Sequence, residues 1–71
     1  MLNLKIARLM RNLKQSELAK KMEVSVDAVS AWERGKINMT TENLVKASKI
    51  LDVSSDFILG LQTAEEFINL K

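Results

Sequence analysis

Histidine and cysteine are both absent from the 71 residues. The chain therefore has no side chain that ordinarily titrates near neutral pH and no thiolate to act as nucleophile or soft metal ligand. No acidic residues fall at metal-ligand spacing, and the two glycines, Gly35 and Gly60, are too far apart to form a phosphate-cradling loop. Glu65 and Glu66 are adjacent, and neighbours on a helix do not face one site. These residue types point away from an enzyme, and no cofactor, metal or small-molecule ligand is expected. What remains is charge. Residues 1–36 hold Lys5, Arg8, Arg11, Lys14, Lys20, Lys21, Arg34 and Lys36 against Glu17, Glu23, Asp27 and Glu33, a net of +4. Residues 37–71 hold Lys46, Lys49 and Lys71 against Glu42, Asp52, Asp56, Glu65 and Glu66, a net of −2. A basic half beside an acidic half suits a polyanion on one face. An ordinary solvated surface gives the same count.

Such a face needs elements to hold it, and the sequence is helical in pattern. Proline is absent. Ile6, Leu9, Met10 and Leu13 recur at i, i+3, i+4 and i+7, and Leu44, Ala47, Ser48 and Leu51 do the same. Ser25, Thr40 and Ser54 are placed as N-caps, Val24 and Val29 as a hydrophobic staple, and Gly60 as a helix terminator. The expected fold class is all-α, a compact five-helix bundle with helices over about 2–12, 15–22, 26–33, 41–51 and 55–59. Residues 1–62 make one domain, and 63–71 a C-terminal tail that forms a short helix over 64–69 or a dimer contact. A domain this small buries only roughly 60% of its unfolded surface, and without disulfides it needs a tight core or a partner. No apolar run reaches the roughly 18 residues that span a membrane, and no signal peptide is evident, so the expected location is cytoplasmic.

The short helices 15–22 and 26–33, joined by about three residues, have the size of a helix-turn-helix unit. Ala19 is small where two helices must cross, and Val29 and Trp32, three apart, share one face of the second helix. Plain helix packing needs no more than that. The run Gln15-Ser-Glu-Leu-Ala-Lys-Lys-Met22, then Val24-Ser25, then Val29-Ser-Ala-Trp-Glu-Arg-Gly-Lys36 resembles the Cro/CI (XRE) phage-repressor family. The likeness continues through Leu51-Asp-Val-Ser-Ser-Asp-Phe-Ile-Leu-Gly60 and covers about residues 3–60.

The resemblance implies a lambda-repressor-like domain whose helix 26–33 enters the DNA major groove. By position it implies base contacts from Val26, Asp27, Ala28, Ser30 and Ala31. It implies phosphate contacts from Gln15, Arg34, Lys36, Asn38 and Thr41, with Lys14 also able to reach a phosphate. Arg8 and Glu33 match an internal salt bridge. Asp27 also suits the positive end of its helix, and Gln15, Arg34 and Lys36 have a solvated surface as their alternative. Three features depart from the pattern. The reading positions lack the Gln, Asn or Arg of bidentate base contacts, Lys14 stands where a Ser or Thr cap is usual, and Glu23 stands where the turn usually has glycine.

The function this implies is a sequence-specific transcriptional regulator, a repressor binding double-stranded DNA at a palindromic operator as a homodimer. Phe57, Ile58, Leu61, Phe67, Ile68 and Leu70 are the candidate dimer interface, with Phe57 and Ile58 expected instead to close the core and Phe67, Ile68 and Leu70 open between the two roles or a mobile tail. The rival is an antitoxin-like or adaptor module that binds protein, with DNA binding secondary.

Overall fold

The computed structural model describes residues 2–60, and they form five helices. These are α1 (Leu4–Met10), α2 (Gln15–Met22), α3 (Val26–Glu33), α4 (Thr41–Leu51) and α5 (Ser55–Leu59). The sixth turn expected over 64–69 and the tail lie outside the described residues. The caps fall where hydroxyls were expected. Ser25 Oγ accepts from the Ala28 N–H at 3.1 Å, Thr40 Oγ1 from Asn43 N–H at 3.2 Å and Ser54 Oγ from Phe57 N–H at 3.1 Å. Each satisfies one of the four N–H groups that a helix start leaves unpaired. At α2, Lys14 has no side-chain oxygen to offer, but the reciprocal contact survives: its own N–H donates to Glu17 Oε1 at 2.8 Å.

α1 is shorter than expected at both ends. Asn3 is held on α5 instead, its N–H donating to the Ile58 carbonyl at 2.7 Å and its Nδ2 to the Phe57 carbonyl at 3.0 Å. At the other end Asn12 turns left-handed at φ 57°, and Leu13 N–H reaches back to the Arg8 carbonyl at 3.2 Å. The same stop recurs. Glu23 (φ 61°) and Asp52 (φ 53°) follow α2 and α4, with Val24 N–H on the Ala19 carbonyl and Val53 N–H on the Ser48 carbonyl. The apolar residue after each left-handed one, Leu13, Val24 or Val53, tucks toward the core. This is the helix stop whose six-to-one bond is normally accompanied by an apolar contact. Glutamate gains nothing from a left-handed backbone and is strained there by about 1–2 kcal/mol. Glu23→Gly is therefore expected to be neutral or to raise the urea midpoint by up to about 1 kcal/mol of stability, with the slope unchanged. A lower midpoint would contradict this account of the turn.

α2 packs on α3 and α4, α4 on α5, and α1 on α3 and α5. The core between them is Leu4, Ala7, Leu18, Ala19, Met22, Val29, Trp32, Ala47, Leu51, Val53, Phe57 and Ile58. Phe57 and Ile58 are fully buried and close the core, as expected of them; Leu61, Phe67, Ile68 and Leu70 lie outside the described residues.

α1 corrects the periodicity argument. Ile6, Leu9 and Met10, three of the four stripe residues, face solvent, and Leu9 is 53% exposed. The buried side is Leu4, Ala7 and Arg8. The helix is apolar on two opposite faces, so spacing alone could not choose between them. The small Ala7 allows close approach, and the buried bonds of Arg8 fix the rotation. Leu9→Gln is accordingly expected to leave the urea midpoint within about 0.5 kcal/mol. Ala7→Gln, which overpacks a sealed site, should lower it by 1–3 kcal/mol or more, as roughly judged from core insertions.

Candidate nucleic-acid interface

Three helices meet at one carboxylate. Glu33, the last residue of α3, receives Arg8 Nε of α1 at 2.7 Å on Oε2 and Arg8 Nη2 at 3.2 Å on Oε1. Gln15 Nε2, at the start of α2, donates to the same Oε1 at 3.0 Å. Arg8 uses its remaining arm, Nη1, on the Leu13 carbonyl at 2.8 Å. The two charged side chains are only 8% and 4% exposed. Every bond in this set is directional, so the C-terminal end of α3 is tied to α1 and to the start of α2. The sequence likeness placed Arg8 with Glu33; the Leu13 carbonyl as third anchor carries no sequence signal, because a carbonyl belongs to every residue. The same holds for Arg11. Its guanidinium caps α4 through the Leu51 and Asp52 carbonyls at 2.6 and 3.0 Å, some forty residues along the chain.

With its end tied, α3 divides into two sides. Val29 and Trp32 are buried, and Ala28 is half-buried against them. Val26, 43% exposed, stands out on the other side with Asp27, and Ser30 is partly open between them. Ala31 differs from the expectation. At 8% exposed it is hidden. At 3.6 residues per turn it projects to the border between the two sides, where a single methyl is covered by its larger neighbours. The open side chains of α3 are thus Val26, Asp27 and Ser30.

Cations flank this face. The Gln15–Glu33 bond sets the start of α2, with exposed Lys14, beside the end of α3, where exposed Arg34 begins the next loop. Gly35 then turns at φ 74°, and Lys36 N–H closes on the Ala31 carbonyl at 2.9 Å. Lys36, Asn38 and Thr41 follow on the surface, Thr41 as the first residue of α4. Lys14, Arg34 and Lys36 are exposed, and Arg34 Nε also donates to the Ser30 carbonyl at 3.4 Å. No helix of the described residues is long and apolar enough to cross a membrane.

A short helix braced at its far end, open on one side and flanked by cations, behind a second helix that crosses it, defines a DNA-binding helix-turn-helix domain. The family described as helix-turn-helix matches residues 4–58, and the chain belongs to that XRE-type helix-turn-helix family. It is 45% identical over 51 residues to the HTH-type transcriptional regulator DicA of Escherichia coli strain K12, a match covering 69% of this chain and 38% of that protein. It is 34% identical over 64 residues to the uncharacterized HTH-type transcriptional regulator YqaE of Bacillus subtilis strain 168, covering 90% of this chain and 55% of that protein. The chain thus spans about two-fifths to just over half the length of these relatives.

Proposed function

We propose that this domain is the DNA-reading part of a transcriptional repressor that binds a palindromic operator as a homodimer. The observation that carries the reading is the braced α3. Glu33 ties its last turn to two other helices, so the first turn can be presented to a groove without rocking. An α-helix fits the major groove, where every base pair shows its own pattern of donors, acceptors and methyl groups. In this reading Val26, Asp27 and Ser30 touch base edges, with half-buried Ala28 behind them. Lys14, Gln15, Arg34, Lys36, Asn38 and Thr41 grip phosphates. One amide N–H of Gln15 goes to Glu33, which leaves its second free for a phosphate oxygen. Two such domains would set their α3 helices about 34–36 Å apart, one turn of DNA. Exposed Ile37 and Leu59, lining a shallow groove with Leu2 and Met39, support a contact between copies near the end of α5.

Phosphate contacts position the protein and base contacts specify the site, and the two respond differently to salt and sequence. Lys36→Ala is expected to weaken binding to all duplexes about equally and to lower the slope of log affinity against log salt by about one unit. Fluorescence anisotropy across a salt series, on an operator selected from a random duplex pool, measures both. A changed base preference with an intact slope would remove Lys36 from the backbone grip. No salt-sensitive binding at all would return the protein to the adaptor reading.

A further inference from the structure

Asp27 is unusual on a surface meant for a polyanion. It is exposed on the second residue of α3 and makes no hydrogen bond or ion pair among the described residues. Its helix does not need it as a cap, because Ser25 already accepts the Ala28 N–H. Beside it Val26 offers only methyl groups. No arginine, lysine, asparagine or glutamine lies on the open side of α3, so the bidentate readers of guanine and adenine are absent there. Gln15, on α2, spends one amide N–H on Glu33.

Resting on the DNA-reading role above, we propose that the first turn of α3 reads a pyrimidine pair, Asp27 selecting a cytosine and Val26 a thymine at a neighbouring base pair. A carboxylate can only accept. In the major groove guanine shows two acceptors, N7 and O6, and thymine shows O4, so each of these repels it. The amino groups of cytosine and adenine are the only donors. The adenine amino group lies between two acceptors, its own N7 and the O4 of the paired thymine, whereas the cytosine amino group has an acceptor, the guanine O6, on one side and only an apolar C–H on the other, so cytosine is the less repulsive donor for a carboxylate. Val26 has no polar atom, and the one apolar group that a base edge projects into this groove is the thymine methyl. Val26 and Asp27 are both exposed on the first turn and diverge by about 100° around the helix axis, so their side chains meet different base pairs of the same groove. Part of the discrimination is exclusion: the carboxylate is repelled by phosphates and by wrong bases alike, so it lowers affinity everywhere except over its donor.

The test is selection from a random duplex pool by the natural chain, Asp27→Asn and Asp27→Ala, with circular dichroism showing that each variant is folded. The natural chain should fix cytosine at one position, about tenfold or more over any other base. Asp27→Asn should change that position to adenine, whose N6 and N7 suit an amide. Asp27→Ala should lose the preference there while raising affinity for unrelated duplexes. In the selected site, deoxyuridine in place of the neighbouring thymidine should weaken the natural chain about fourfold, the worth of one buried methyl, and leave Val26→Ala unaffected. The same base selected by the natural chain and Asp27→Asn, or no response to loss of the thymine methyl, overturns the inference while DNA reading by α3 stands. Salt-sensitive binding with no selected sequence also overturns it. No binding to any duplex overturns both.

Discussion

Glu33→Ala is expected to lower stability by about 3–5 kcal/mol, as removal of one partner from a buried ion pair typically does. A domain of this length has only about 4–10 kcal/mol in total, so the variant should be largely unfolded at 37 °C. The loss comes mainly from what is left behind. Arg8 would keep a buried positive charge with only the Leu13 carbonyl to answer it, and Gln15 would lose its acceptor. Replacing both ends by apolar residues of similar size, Arg8→Met with Glu33→Leu, should recover most of the stability, because no unpaired charge then remains. The double variant separates folding from function. It restores the core without the directional bonds that orient α3, so it should be folded by circular dichroism yet bind the selected operator more weakly than the natural chain. Denaturant melts of Arg8→Met, Glu33→Leu and the double form a thermodynamic cycle. Single and double losses that simply add would mean the two residues act separately.

Trp32→Ala should cost a similar amount, about 3–5 kcal/mol, for a different reason. The indole is buried on the inner side of α3 beside Val29, within the core shared by all five helices. Truncation removes its contacts and leaves a void that the surrounding core closes only in part. The expected result is loss of the helical circular dichroism signal at 37 °C and of binding to every duplex at once. Trp32→Phe keeps most of the buried surface and should remain folded with a lower urea midpoint. If Trp32→Ala stayed folded with an unchanged midpoint, the inner side of α3 would not be the core of this domain. Glu33→Ala should be rescued by apolar repacking, and Trp32→Ala should not, which distinguishes a lost bond network from a lost volume.

Helix α1 marks where sequence reasoning reached its limit. Four apolar residues at helical spacing were the strongest periodic signal near the N-terminus, and three of them are exposed. Periodicity reports which residues share a face but not which face meets the core. That choice was made by Ala7, whose size permits close packing, and by Arg8, whose partners come from residues 13 and 33. Ala31 shows the same limit on α3. Its angular position is at a border, and its exposure depends on how far the neighbouring side chains extend.

What the sequence determined by itself was local. The hydroxyls of Ser25, Thr40 and Ser54 set the starts of three helices, because a cap acts within three residues and needs no tertiary partner. The bounds of α2 through α5, the inward Trp32 and the family likeness were all legible there. Glu23 could be suspected of a left-handed turn from one position; Asn12 and Asp52 adopt the same turn and gave no warning, since each is also common in loops. Tertiary structure alone decided the rotation of α1, the capping of α4 by Arg11 and the Leu13 carbonyl as the further acceptor of Arg8. These involve groups up to 41 residues apart along the chain. Their bonds exist only after the helices have packed, and burial from water then makes each one costly to break.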